Sequence, residues 1–182
     1  MLLLRALVFG RWSGADASLF SDDSSDDRAD PGDHESMADF RPSHFGLCVS
    51  DLERSLRFYV DGLGFERGDG FDLDSDAAPG LDRSLEVPGR VQITSQFVKN
   101  DTMTIELLHF AEPGVIGEPS AVRNRRGLTH MSFYVDDVDA AAGHLVAHGA
   151  TVLPDTRSSV GVEILFLSDP DGVRVELMAV PS

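Results

Sequence analysis

Two histidines and two glutamates stand at matching places in two halves of this chain. His44 opens the run His44-Phe-Gly-Leu-Cys-Val-Ser-Asp51-Leu, which aligns without gaps to His130-Met-Ser-Phe-Tyr-Val-Asp-Asp137-Val. Glu106, in Met103-Thr-Ile-Glu106-Leu-Leu, aligns to Glu176, in Val173-Arg-Val-Glu176-Leu-Met. The histidines are 86 positions apart and the glutamates 70. The difference fits an acidic loop inserted in the first half. Self-similarity of this kind is the mark of an internal structural repeat.

Strand parity then separates the chemistry from the core. Side chains alternate faces along a strand. Phe45, Leu47 and Val49 share one face of the first segment, as do Met131, Phe133 and Val135 in its repeat. His44 and His130 fall on the other face. In the closing segments Ile105 and Leu107, or Val175 and Leu177, alternate with Glu106 or Glu176. A mid-strand glutamate between apolar neighbours is expensive to bury unpaired. Two of them, each matched by a histidine, suggest a shared divalent cation. Two imidazoles and two carboxylates suit Zn²⁺, Ni²⁺, Co²⁺, Mn²⁺ or Fe²⁺. Taken singly, each residue has a plainer explanation, a hydrogen-bonded or solvent-facing strand side chain. The repeated, parity-matched pattern is what favours a metal.

These residues need elements to hold them. Residues 43–49 read as a strand, followed by a helix capped by Asp51 with Leu52, Leu56, Tyr59 and Leu63 on one face and Gly64 as its stop. Residues 65–71 predict a short strand and 72–88 an acidic loop with a short helix near 81–85. Residues 91–98 and 103–110 predict a hairpin across Lys99-Asn-Asp-Thr102. After a polar linker over 111–127 the order repeats. A strand spans 128–135, and a helix capped by Asp136 or Asp137 runs to Gly149. A strand then begins at 151–153, and a hairpin over 160–167 and 173–180 turns at Asp169-Pro-Asp-Gly172. Both halves read βαβββ, an α+β class.

Composition narrows the partners. The chain has 182 residues, with 31 acidic against 15 basic and a net charge of −16. Such a chain repels phosphate backbones and anionic membranes, so neither nucleic acid nor a membrane is expected as a partner. No run of eighteen apolar residues exists, so no transmembrane helix is predicted. Lys99 is the only lysine, which leaves a single candidate for Schiff-base chemistry. Cys48 is the only cysteine, which excludes an intrachain disulfide, a CxxC redox pair and a cysteine zinc knuckle. A cytoplasmic location is expected, because the apolar start at Met1–Phe9 is broken by Arg5 and preceded by no positive charge. Residues 13–36 are rich in Asp and Ser, and residues 1–36 read as a disordered acidic tail ahead of one domain over 37–182.

The run from His44 to Tyr59, with Gly62-Leu-Gly-Phe65, Gly127-Leu-Thr-His130 and Asp169-Pro-Asp-Gly-Val-Arg-Val-Glu176-Leu, resembles the vicinal-oxygen-chelate (glyoxalase-like) superfamily. The resemblance covers about residues 42–180. It implies two tandem βαβββ modules, about 42–112 and 127–181, forming a curved mixed sheet around a metal cleft. The family's ligands fall on His44, Glu106, His130 and Glu176, with Glu106 the position that varies between branches. It also implies a lyase or isomerase of the glyoxalase or epimerase kind. A metal-bound carbonyl would be polarised there and Glu106 or Glu176 would act as base. Two other readings remain: an extradiol-type Fe²⁺ dioxygenase using His44, His130 and Glu176, and a non-catalytic ligand- or antibiotic-binding relative. A small-molecule substrate and a homodimer are expected.

Arg123, Arg125 and Arg126 form a basic run immediately before the His130 strand, and Arg174 shares a face with Glu176. They read either as a grip for an anionic substrate or as a solvated loop paired with the protein's own acids. Cys48 reads as a small core residue. His109, on the face opposite Glu106, reads as structural. His144 and His148 read as solvated partners of a helix dipole.

Overall fold

A computed structural model of the chain describes residues 40–179; the expected acidic tail over 1–36 lies outside the described residues. The first half runs β1 (Phe45–Cys48), α1 (Leu52–Leu56), β2 (Glu66–Asp74), α2 (Leu81–Ser84), β3 (Gln92–Lys99) and β4 (Thr104–Glu112). The second runs β5 (Met131–Tyr134), α3 (Val138–Ala147), β6 (Thr151–Ser158), β7 (Glu163–Ser168) and β8 (Arg174–Ala179). Each half folds into its own four-stranded sheet, ordered β1-β4-β3-β2 and β5-β8-β7-β6. The fold is α+β, as the repeat predicts. The curved sheet comes as two open mixed sheets and not one.

In both sheets the first strand lies parallel to the last, and the hairpins are antiparallel. β1 and β5 are therefore edge strands with one side of their ladders unpaired. Asp51 and Asp137 cap their helices by accepting from the backbone N–H of Arg54 and Ala140, which satisfies an orphan first-turn donor in each. Of Asp136 and Asp137, Asp137 is the cap.

One core joins the halves. Leu47, Val49, Ile105 and Leu107 from the first sheet and Leu165, Leu167, Val175 and Leu177 from the second are buried with Leu56, Phe58, Tyr59, Val138 and Leu145 from the helices. The apolar parity of the closing strands thus faces the helices. Phe45 departs from it: 56% exposed, it sits at the start of an edge strand. The first helix also departs from a regular spacing. After Leu56 it widens into a π-helical segment, Arg57–Gly62. The wider turn brings the adjacent Phe58 and Tyr59 both inside, edge to face at 5.1 Å. Gly64, at φ +75°, then ends it with Phe65 N–H bonding Tyr59 O.

The turn after β7 docks one half on the other. Tyr59 Oη donates to Asp169 Oδ2 at 2.8 Å. Asp171 accepts from Arg54 Nη2 at 2.8 Å, from Ser55 Oγ at 3.3 Å and from Ser50. Burial pushes the Asp169 carboxyl above its ordinary value, against the pull of hydrogen bonds from Tyr59 and from the Val173 and Asp171 amides. A raised carboxyl favours folding most below the ordinary aspartate range, and that contribution is lost as pH rises through the folded-state value. Asp169→Asn keeps acceptors for the turn and removes the buried charge. It should cost less than about 1 kcal/mol by urea denaturation, and the variant should gain on the parent as pH rises above the ordinary aspartate range. Asp169→Ala orphans the Tyr59 hydroxyl and should cost about 2–3 kcal/mol. Equal losses for the two variants would show that the acceptors kept by Asp169→Asn contribute nothing to docking.

Candidate functional site

Each sheet brings one histidine to one glutamate. Register places Gly46 opposite Glu106 and Ser132 opposite Glu176, so a side chain two positions earlier, His44 or His130, reaches over its neighbour strand. His44 Nε2 lies 3.0 Å from Glu106 Oε2, and His130 Nε2 lies 3.3 Å from Glu176 Oε2. Exposure repeats as well, at 36% and 35% for the imidazoles and 14% and 11% for the carboxylates.

The surroundings repeat too. Ser43 Oγ is 2.9 Å from His44 Nδ1, and Thr129 Oγ1 is 2.9 Å from His130 Nδ1. Each imidazole meets the edge of a phenyl ring, Phe97 or Phe166, with centroids 5.3 Å apart in both cases. Those rings stand opposite Glu106 and Glu176 in the hairpin registers. A hydroxyl on Nδ1 fixes ring orientation and leaves Nε2 facing the carboxylate, an arrangement common behind metal-ligating histidines. Two ligand atoms each about 2.1 Å from one ion and at right angles to each other lie about 3 Å apart, so both pairs fit a divalent cation.

The four residues do not gather into one cluster within the chain. Among the described residues, no group of three or more His, Cys, Asp or Glu side chains comes together in a way that could hold a metal ion. Each half supplies two donors, whereas a protein site for these metals ordinarily needs three or four.

The pairs differ at one point. Ser95 Oγ donates to Glu106 Oε1 at 2.6 Å. The position matching Ser95 in the second hairpin is Ile164, and Glu176 Oε1 has no such donor among the described residues. Sequence reasoning misses Ser95 because the repeat gives it no counterpart. Ser43 and Thr129 were open to it, as hydroxyl residues directly before each histidine.

The arginines assemble beside the second pair. Arg123, Arg125, Arg126 and Arg174 line one pocket with Thr129 and His130. Arg174 makes no ion pair with Glu176, and its buried Nη1 has no hydrogen-bond partner. Cys48 proves exposed and not a core residue, because its face of edge strand β1 is open. His109 Nδ1 meets Val49 O at 3.1 Å, a structural contact. His144 does more than sit at a helix end: its Nε2 lies 3.1 Å from Gly62 O, at the end of the first half's helix.

A family profile for the Glyoxalase/Bleomycin resistance protein/Dioxygenase superfamily matches residues 41–177. The chain belongs to this superfamily. The uncharacterized protein YaeR of Escherichia coli (strain K12) is 31% identical over 137 residues, 74% of this chain and 92% of that protein. A 2-epi-5-epi-valiolone epimerase of Actinomyces sp is 28% identical, over 76% of this chain and 79% of the epimerase. The crystal structure of a glyoxalase family protein from Bacillus cereus superposes with a TM-score of 0.67 at 18% identity, covering 80% of this chain and 97% of that one, which shows the shared fold. Among the described residues no helix is long and apolar enough to cross a membrane.

Proposed function

We propose that the protein is a divalent-metal-dependent, redox-neutral lyase or isomerase whose metal site is completed by a second copy of the chain. The repeated pair geometry carries this reading: two His–Glu pairs at 3.0 and 3.3 Å, each with a hydroxyl on Nδ1 and a phenyl edge on the ring. His44 and Glu106 of one copy would face His130 and Glu176 of the other. Each histidine directly precedes an edge strand open on one side, β1 or β5, with its glutamate on the neighbouring strand, β4 or β8, and the edge strands expose Phe45 and Tyr134, the latter 77% accessible. Exposed aromatics on unpaired edges mark a surface made for a partner. A two-fold axis would bring each edge to the other's counterpart and create two equal sites.

A divalent ion held there supplies Lewis acidity at a substrate carbonyl. The chain's own part is proton transfer. Glu176, with Oε1 unengaged by any side-chain donor, takes the proton from the carbon beside the carbonyl. Glu106, held by both His44 and Ser95, keeps its orientation. Membership of a superfamily that includes an epimerase supports redox-neutral chemistry of this kind, although a fold does not choose a reaction.

The test is isotope exchange. A 2-hydroxyacyl thioester, a thiohemiacetal or a 2-methyl-branched acyl thioester should exchange its α-proton for deuterium in D₂O, under nitrogen, and exchange should stop with a chelator. Oxygen-dependent cleavage of a catechol, with no exchange on any acyl substrate, would replace this mechanism with the ring-opening one. Metal-independent ligand binding with neither reaction would make the protein a binder.

A further inference from the structure

The arginine pocket beside His130 is out of balance with the rest of the molecule. Acidic residues outnumber basic ones 31 to 15, so an arginine here has ready partners. Other arginines take them: Arg54 pairs with Asp171, and Arg90 with Asp74, Asp76 and Glu112. Arg123, Arg125, Arg126 and Arg174 take none among the described residues, yet line one pocket together. Burial, and then the guanidinium of Arg123, pull the Arg174 guanidinium below its ordinary value. Like charges held together at the cost of an unmade hydrogen bond need an anion to repay them. The solvated-loop reading of this run required pairing with the protein's own acids, and that pairing is missing.

We propose that this pocket binds the phosphate group of the substrate, a phosphate monoester or diphosphate remote from the reacting carbonyl, with the half-buried guanidinium of Arg174 among its donors. Phosphate suits it better than a carboxylate for two reasons. A planar carboxylate is satisfied by one guanidinium fork, whereas a phosphate dianion offers three or more oxygens to several forks. Two negative charges also offset more of the four positive ones. Leu47 and Val173 add apolar wall, which weakens solvent screening of the contact. The location gives the pocket its meaning: Thr129 and His130 lie in the same wall, so an anchored phosphate would hold a substrate whose other end reaches the His130–Glu176 pair. The inference rests on the proposed function for that last step only.

Titration calorimetry of the full chain, stripped of metal with a chelator, tests the pocket apart from the metal. Inorganic phosphate and pyrophosphate should bind with an affinity that falls as salt rises. Arg174→Met should weaken pyrophosphate about tenfold or more, and Arg123→Gln with Arg174→Met should abolish it. Arg83→Gln, an exposed arginine elsewhere, should leave it unchanged. Glu106→Ala, whose side chain lies outside the pocket, should lose metal and still bind pyrophosphate, which separates failure of the metal site from failure of the pocket. Should Arg174→Met not fold, its loss of thermal stability would appear in melting scans, and Arg123→Gln alone, at an exposed position, would still have to weaken binding. Succinate binding as tightly as pyrophosphate would overturn the assignment to phosphate. Pyrophosphate binding that survives the double substitution, or no binding of either anion to the parent protein, would overturn the pocket itself.

Discussion

Mixing two variants that each bind no metal should restore binding. One variant lacks the first pair, His44→Ala with Glu106→Ala, and the other lacks the second, His130→Ala with Glu176→Ala. Each removes two of four donors, so either protein alone should hold no divalent ion at neutral pH. If the site spans two copies, the mixed dimer joins the intact second pair of one variant to the intact first pair of the other. It should then bind about one ion per dimer, where the parent dimer binds about two. Co-refolding the variants, isolating the mixed dimer through different tags and measuring metal by mass spectrometry gives the count. The expectation rests on the four side chains forming two pairs and not one cluster within a chain. A mixture as empty as its components would show that the two pairs meet inside one chain or hold no metal together.

Much of this arrangement was legible in the order of residues. The ungapped match of residues 44–52 to 130–138 fixes two modules, and the alternation around Glu106 and Glu176 fixes which face packs on the helices. Both aspartate caps follow from residue type and place. What escaped depends on distances between elements that no local pattern encodes. Periodicity expects Tyr59 inside and Phe58 outside, and only the π-helical widening places both within the core. Asp169 and Asp171 read as turn formers; in the fold they also reach across to Tyr59 and Arg54. Alternation puts Phe45 on the face of the buried Leu47 and Val49, but it cannot say that Phe45 stands at the exposed start of an edge strand or that the face of Cys48 is open. Four ligands in one repeat likewise read as one site, because a sequence does not say which half of which copy meets the other.

Glu176→Gln should lower α-proton exchange about a thousandfold at saturating metal, more than Glu106→Gln does. A carboxamide keeps a ligand oxygen but cannot accept the proton, and removing a positioned base ordinarily costs 10²- to 10⁴-fold. Glu106 is held twice, by His44 Nε2 at 3.0 Å and by Ser95 Oγ at 2.6 Å. Glu176 is held once, at 3.3 Å, and the residue at the place of Ser95 is the apolar Ile164. The looser carboxylate is the one able to swing toward a substrate carbon, and the tethered one is suited to fixing the ion. Glu106→Gln should therefore show its main loss in metal affinity. Ser95→Ala should follow it at smaller scale, weakening metal by about tenfold, as loss of a supporting hydrogen bond does at other metal sites. Exchange rates measured by NMR at saturating metal, beside metal affinities from competition with a chelating dye, separate the two roles. A greater loss of exchange in Glu106→Gln than in Glu176→Gln would reverse the assignment and place the base on β4.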